Sequence, residues 1–172
     1  MALTLIKEDG TGKPDANSYA DVADGDAYHD GHLYASAWTA ATTDKKSAAL
    51  VMASRLIDAE FQFNGLRSVA AQALQWPRLN CPDPDSGEAV SNTNVPKALV
   101  KAACELGREL ILSDRTASPA GEGLKYQNVG GNQTGYDKTD TRPVIPAIVQ
   151  ALLAKFGSQI KTKSGSVNLV RV

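Results

Sequence analysis

The residues with the clearest potential for metal chemistry are the two histidines. His29 and His32 lie three positions apart, and Asp26 and Asp30 flank them. On a helix this spacing places two imidazoles and a carboxylate toward one side, as in some zinc sites. The pattern lacks the glutamate of an HExxH motif, and Gly31 interrupts the face. The sequence therefore favours exposed polar histidines, and we expect no metal and no other cofactor.

Motifs for other kinds of catalysis are missing from the sequence. There is no GxxxxGK[ST] phosphate-binding loop and no GxSxG nucleophile motif, and Gly130-Gly131 does not lead into a predicted helix. Cys81 and Cys104 are 23 positions apart and form no CxxC pair, a pattern typical of reduced thiols. Because few nucleophiles or general bases remain, we expect that the protein is not an enzyme.

One segment combines aromatic and basic side chains in the way that single-stranded DNA binding requires. Trp76-Pro77-Arg78 follows Arg67 closely, so a base could stack on the indole while a cation contacts a phosphate. The net charge of −1 and the pI of about 6.1 are low for a nucleic-acid-binding domain. A tryptophan beside a proline is also typical of a packing anchor. Both interpretations of this segment stay open.

Four helices are predicted from apolar residues that recur at spacings of three and four. Ser18 and Asp21 resemble a capping box at the first helix, and Gly107 within the third suggests close approach of another helix. The predicted helices begin at Asn17 or Ser18, at Asp44, at Asn94 and after Pro146, and the last three end near Gly65, Leu112 and Gly157.

The length of 172 residues predicts one domain with a thin core, since only 37 residues are Leu, Ile, Val or Phe. We expect a mainly α fold: a small four-helix bundle with an inserted β-hairpin and an extended C-terminal tail. The predicted divisions are a flexible N-terminal arm (1–16), a helical domain (17–157) and the tail (158–172). Within the domain, residues 113–142 are polar and glycine-rich and predict a loop or a hairpin around Gly130-Gly131.

Charge is distributed unevenly between the two ends of the chain. Residues 1–30 carry a balance of −5, whereas residues 155–172 carry +4. The last residues are β-prone and basic, and an extended segment of this kind is suited to adding a strand to another protein's sheet edge. The predicted docking residues are Val167, Asn168, Leu169, Val170, Arg171 and Val172. No apolar window is long enough to predict a membrane span, and the N-terminal sequence turns acidic too early for a secretory signal.

The order of these segments resembles the head-tail connector, or adaptor, proteins of long-tailed bacteriophages. The same sequence family has also carried the label of DnaT-like single-stranded-DNA-binding protein. The likeness covers about residues 17–172, and its most specific parts are FNGLR at 63–67 and QALQWPR at 72–78. The segments that carry it are NSYADVADGDAYHDG, ALVMASRLIDAEFQFNGLR, QALQWPR, VPKALVKAACELGRELI and VIPAIVQALLAKF.

The resemblance implies a structural role in the virion. Such adaptors form a ring, usually of twelve copies, beneath the portal protein, extend the DNA channel and join the capsid to a neck or tail-completion protein. Genomic DNA would pass through the ring without sequence-specific binding, and the tail at 167–172 would reach the portal. Assembly would take place in the host cytoplasm, and the protein would end in the neck of the virion. A single-stranded-DNA-binding accessory protein of DnaT-like type is the alternative.

The residues of the two most specific motifs are expected at an assembly surface or in the core. We expect the following residues to be oligomer contacts or packing anchors: Arg67, Gln72, Trp76 and Arg78.

Overall fold

The computed structural model describes residues 3–117, 126–135 and 142–160 of the chain. The helices are α1 (Val22–Asp30), α2 (Ser36–Thr39), α3 (Thr43–Glu60), α4 (Lys97–Leu112) and α5 (Ala147–Leu153). The strands are β1 (Phe61–Phe63), β2 (Leu66–Arg67), β3 (Arg78–Leu79), β4 (Tyr126–Val129), β5 (Asn132–Gly135) and β6 (Gly157–Gln159).

The predicted four-helix bundle is wrong. The described part of the chain has five helices together with three two-stranded antiparallel sheets, which pair β1 with β6, β2 with β3 and β4 with β5. The pairing of β1 with β6 joins segments that lie nearly 100 positions apart, with Phe61 opposite Gln159. Such pairing leaves no local signal in three-residue strands, because the period-two pattern needs four or more residues to be visible.

The core is built around α3 and α4, the two longest helices. They pack on each other, and α4 also contacts α1, α2 and α5. A Cβ built at Gly107 would lie 3.4 Å from Leu50 Cδ2 and 3.6 Å from a ring carbon of Trp38, which are ordinary van der Waals distances. The packing around residue 107 therefore does not require glycine, and the unusually close approach predicted there is not observed. The largest fully buried side chains include Trp38, Trp76, Tyr19, Leu50, Ile57, Leu99, Leu106, Ile145 and Leu153.

The first helix begins later than the sequence predicts. Its N-cap is Asp21, whose carboxylate accepts a hydrogen bond from the Asp24 amide at 2.9 Å, while Asp24 accepts from the Asp21 amide at 2.9 Å. Ser18 instead lies buried before the helix, where its hydroxyl donates to the Ala20 carbonyl at 2.6 Å. Both pairs have the spacing of a capping box, so sequence alone does not distinguish them.

The starts of α3 and α4 differ from the predicted ones by two or three residues. Thr42 rather than Asp44 caps α3, and its hydroxyl accepts from the Lys45 amide. Pro96 rather than Asn94 stands at the N-cap of α4. The last helix, α5, begins directly after Pro146, as predicted. Shifts of this size are usual for helix ends, where several polar residues compete for the same amide groups.

The glycine-turned hairpin predicted within residues 113–142 is confirmed as β4 and β5. Val129 pairs with Asn132, and the turn residues Gly130 and Gly131 both have positive φ, at 60° and 89°. Positive φ at two successive positions is typical of the tight turns that glycine favours. The side chains of Tyr126 and Val129 are 59% and 65% exposed, so this hairpin offers apolar surface to solvent.

Residues 3–16 pack on the domain, whereas the sequence predicts a flexible arm for residues 1–16. Glu8 is buried, and its carboxylate accepts hydrogen bonds from the amides of Gly10, Gly12 and Lys13 at 2.8–2.9 Å. The Lys13 carbonyl accepts from the Ala73 amide at 3.0 Å. The buried charge of Glu8 thus has three donors, which compensates for its loss of water.

At the C-terminal side, Ser158 and Gln159 belong to β6, although the sequence predicts that the tail begins at residue 158. Residues 161–172, including the predicted docking segment Val167–Val172, lie outside the described residues. None of the described helices combines the length and apolar character needed to cross a bilayer.

We predict that Gly25→Ala destabilises the protein by about 1–3 kcal/mol through overpacking of α1 against α2. A Cβ at residue 25 would lie 2.2 Å from Trp38 Cζ2 and 2.7 Å from Cη2, within a buried ring that cannot swing away. The matched control is Gly31→Ala, since no atom lies within 4 Å of the corresponding Cβ there. Urea unfolding should show a lower midpoint for the first variant only; equal midpoints would contradict the packing of α1 on Trp38.

Candidate nucleic-acid interface

The two histidines occupy different environments, and the expected exposure is wrong for His29. This side chain is buried between α1 and α4, with Nε2 3.1 Å from the Cys104 carbonyl and its ring 4.8 Å from that of Trp38. Burial lowers the pKa of His29 and so favours the neutral imidazole. Within the described ranges, no three His, Cys, Asp or Glu side chains cluster as metal ligands would.

Trp76 and Arg78 point into the core rather than toward solvent. The Trp76 indole is fully buried and meets the rings of Phe63 and Phe156 edge-to-face, with centroids 5.8 Å away in both cases. Arg78 is only 4% exposed. A base cannot stack on an indole that is covered on all sides, so the DNA interface considered for this segment does not form there.

The Arg78 guanidinium instead holds the backbone of the loop around it. It donates hydrogen bonds to the carbonyls of Phe63, Asn64 and Gly65 at 3.2, 2.7 and 2.7 Å. It also donates to the backbone and side-chain oxygens of Gln75 at 3.0 and 3.1 Å. Burial lowers the pKa of Arg78, but the ordinary value is so high that the group stays charged.

Gln72 and Arg67 complete this arrangement. The buried Gln72 amide donates to the carbonyls of Leu74 and Pro77 at 2.8 and 3.1 Å, and its oxygen accepts from the Val69 amide at 2.9 Å. Arg67 is exposed, and its guanidinium donates to the Gln72 carbonyl. Three of the four motif residues are therefore internal, and only Arg67 presents surface to a neighbour.

A second polar cluster, formed by Tyr19, Asp58 and Gln75, was not found from the sequence. The Tyr19 hydroxyl donates to Asp58, and the Gln75 amide lies 3.0 Å from both Asp58 Oδ2 and the Tyr19 hydroxyl oxygen. Burial raises the pKa of Asp58 to about 6, and that of Tyr19 well above its ordinary value. The cluster joins α3 to the loop that carries Trp76, so its location supports a structural role.

Aromatic side chains that reach the surface occur instead at and after the C-terminal end of α1. Tyr28, His32 and Tyr34, here called the aromatic row, follow one another with ring centroids 6.4 Å apart at each step. Tyr34 is 72% exposed, and Tyr28 is half-buried. The ring planes of Tyr28 and His32 meet at 42° and those of His32 and Tyr34 at 69°, so the rings do not form one flat platform. The exposed ring of Tyr34 is the one on which a base of a single strand can stack.

Two lysines of α4 lie beside this row. Lys97 and Lys101 are one helical turn apart, so both face the cleft between α1 and α4, of about 390 Å³, that Tyr28 also lines. Both are exposed, and in the described ranges neither forms an ion pair. This α1–α4 cleft brings together an aromatic ring and two free cations from segments about 70 positions apart.

Acidic groups near the cleft are already paired within the protein. Asp24 lies 2.5 Å from the Lys7 ammonium, and Glu105 lies 2.6 Å from the Arg108 guanidinium. The Tyr28 hydroxyl donates to Glu105 at 3.2 Å. Burial and the Glu105 charge raise the pKa of Tyr28 to about 12, so this hydroxyl remains a donor and fixes the ring position.

Comparison with protein families decides which group the chain is part of. A family model described as "Putative DnaT-like ssDNA binding protein" matches residues 3–172. The chain belongs to this family. No curated protein and no solved structure matches the chain. Of the two names attached to the sequence resemblance, the match supports the DnaT-like one and gives no support to the bacteriophage connector.

We predict that Arg78→Lys destabilises this member of the DnaT-like family by about 2–4 kcal/mol. Lysine presents three donors from one point and cannot reach carbonyls on opposite sides of the loop, so buried oxygens lose partners. Arg55→Lys, at an exposed position of α3, should change stability by less than about 0.5 kcal/mol. The measurement is urea unfolding at neutral pH, and an unchanged midpoint for Arg78→Lys would disprove the structural role of this side chain.

Proposed function

We propose that the protein is a non-catalytic binding protein for single-stranded DNA. A base stacks on the exposed ring of Tyr34, and the ammonium groups of Lys97 and Lys101 contact the phosphates. The observation that carries the proposal is the α1–α4 cleft, where the half-buried ring of Tyr28 lies beside Lys97 and Lys101 in a chain of this family. The exposed ring of Tyr34 lies outside this cleft, next to His32. The same combination of side chains is what sequence-tolerant single-strand binding requires.

The composition of the cleft sets the expected strength of binding. Stacking contributes about 1–3 kcal/mol per base, and an exposed tyrosine supplies one such platform. Two lysines neutralise two phosphates, which gives a slope of about −1.4 in a plot of log K against log salt concentration. With a net charge of −1, the protein has little long-range attraction for DNA. We therefore expect weak binding that does not depend on the DNA sequence. Binding should be stronger when several copies of the protein bind to one DNA strand.

The test is fluorescence anisotropy of a labelled oligothymidine at low salt. We expect Tyr34→Ala to weaken binding about fivefold or more, because one stacking platform is lost. The double variant Lys97→Ala, Lys101→Ala should weaken binding and flatten its salt dependence. Matched controls are Tyr126→Ala and Lys45→Ala, which remove an exposed aromatic ring and an exposed cation elsewhere. Flat titrations of the wild-type chain at low salt would exclude the proposal.

We keep a second candidate, a structural head-tail connector, because of the β4–β5 hairpin. The resemblance to bacteriophage adaptors implies an inserted hairpin, and β4–β5 with its exposed Tyr126 and Val129 is consistent with it. In this proposal, copies of the chain form a ring, usually of twelve, and the hairpin and Arg67 lie at contacts between copies. Partners are the portal protein, reached by Val167–Val172, and a neck or tail-completion protein.

The connector proposal places the protein in the virion neck after assembly in the host cytoplasm. Deleting Ser166–Val172 should leave a folded protein that no longer binds to portal-bearing heads. Electron microscopy of mixtures with and without the heads measures the docking. Tyr126→Ala, which retains the tail, is the comparison variant. Docking of the truncated chain would show that the tail is not the portal contact, and failure of the wild-type chain to dock would reject the connector.

A further inference from the structure

His32 connects the backbone of the exposed Tyr34 to α4. It follows Gly31, the C-cap of α1, and its side chain is 23% exposed. On one side of the ring, the Tyr34 amide donates a hydrogen bond to His32 Nδ1 at 3.1 Å. On the other side, His32 Nε2 lies 3.5 Å from Oε2 of Glu105, which α4 holds in a buried position. The imidazole is therefore the link between a surface loop and the core helix.

The hydrogen bond from Tyr34 determines which ring nitrogen of His32 carries the proton. An amide N–H can donate to Nδ1 only when this nitrogen has a free lone pair. The neutral ring then carries its proton on Nε2, the nitrogen nearest to Glu105. A protonated ring carries hydrogens on both nitrogens, so Nδ1 would meet the Tyr34 amide as donor against donor. The bond seen here exists only with a neutral imidazole.

This bond closes a short turn that holds Leu33 and Tyr34. A side-chain acceptor that binds the amide two positions later has the geometry of an Asx turn, with Nδ1 in place of an asparagine oxygen. The side chains of Leu33 and Tyr34 are 86% and 72% exposed, so packing restrains them little. Among the described residues, neither Leu33 nor Tyr34 makes another hydrogen bond. The position of Tyr34 thus depends on one acceptor.

The charged and titratable groups that face His32 come from α1 and α4. From α4, Glu105 is paired with Arg108 at 2.6 Å. From α1, the rings of Tyr28 and His29 have centroids 6.4 and 5.7 Å from that of His32. Burial raises the pKa of Tyr28 to about 12 and lowers that of His29, so both stay neutral near pH 7. Glu105 is therefore the group that a protonated His32 would contact through Nε2.

We infer that neutral His32 is the positioning residue of Tyr34, and that a proton bound at its Nδ1 releases the tyrosine. The proton occupies the lone pair that accepts the Tyr34 amide, while Nε2–H keeps its contact with Glu105. The imidazolium stays on α4, and Leu33 and Tyr34 lose their hydrogen bond. The consequence for DNA rests on the proposed function: a base stacks better on Tyr34 while His32 is neutral.

NMR of the ¹⁵N-labelled whole chain between about pH 5 and pH 8, the range in which histidine changes charge, tests the inference without DNA. At the upper limit, the ¹⁵N shifts of His32 should show a proton on Nε2 and none on Nδ1. The Tyr34 amide signal should move with the same midpoint as the His32 ring. The Thr11 amide makes a similar bond to Asp9 Oδ1 at 3.1 Å and should not move, because Lys13 and Thr11 hold the pKa of Asp9 well below its usual range.

His32→Asn is the matched variant, because its side-chain oxygen can accept from the Tyr34 amide but takes up no proton in this range. The Tyr34 amide of this variant should keep one shift across the titration. In His32→Ala, which lacks the acceptor, the Tyr34 amide should have the released shift at every pH. Asp58 has a pKa raised to about 6, but it is present in all of these chains, so its titration cancels in the comparison.

Anisotropy of labelled oligothymidine measures the consequence for binding. With His32 present, Tyr34→Ala should weaken binding about fivefold at about pH 8 but less than about twofold at about pH 5.5, because the released ring no longer contributes. In the His32→Asn background, the loss should be equal at both pH values. Equal losses with His32 present would overturn the effect on stacking.

A Tyr34 amide that does not follow the His32 titration, or a proton on Nδ1 at about pH 8, would overturn the inference. A Tyr34 amide that titrates in His32→Asn as it does in the wild type would overturn it as well. Both wild-type results are independent of the folding of any variant. A chain that shows the amide titration but binds no DNA would reject the proposed function and would still support the positioning of Tyr34 by His32.

Discussion

The rest of the structure depends on the buried guanidinium of Arg78. Its hydrogen bonds to the carbonyls of residues 63–65 and to Gln75 close the loop between β1 and β3 upon itself. A buried charge is unfavourable unless every donor has a partner, so this loop has one backbone arrangement rather than several. The loop carries Trp76 into contact with Phe63 and Phe156, and β1 in turn supplies the edge on which β6 pairs. The position of the loop between β1 and β3 and the position of β6 thus both depend on the hydrogen bonds of Arg78.

These hydrogen bonds also determine where binding can take place. Trp76 and Arg78 look most like a DNA-binding pair in the sequence. Both are needed in the core, so neither is available for binding at the surface. The half-buried ring of Tyr28 and the exposed side chains of Lys97 and Lys101 line the α1–α4 cleft, on the side of α4 that faces α1. The net charge of the chain is close to zero, but Lys97 and Lys101 lie together beside Tyr28. A small site that is both cationic and aromatic is therefore present at the surface, separate from the buried Trp76 and Arg78.

Prediction from sequence succeeded where the signal is local and strong. α3 and α4 are long, and their apolar residues recur regularly, so both were located within a few residues. The hairpin was found because two glycines in succession at a turn allow positive φ. The bundle was wrong because three-residue strands depend on partners far along the chain. His29 was placed outside because its burial depends on which side of α1 meets α4, and the Tyr19–Asp58 cluster was missed for the same kind of reason.

The amino-acid sequence by itself determined the long helices, the glycine turn, the uneven charge of the two ends and the lack of catalytic motifs. These features follow from composition and from spacing within a few residues, which is the range over which helices and turns form their hydrogen bonds. Only the tertiary structure decided which polar side chains are buried and which are exposed. Burial of Arg78 is favourable only once carbonyls 13 to 15 positions away along the chain surround its guanidinium. The spacing of residues along the chain does not show whether such distant partners will surround a side chain.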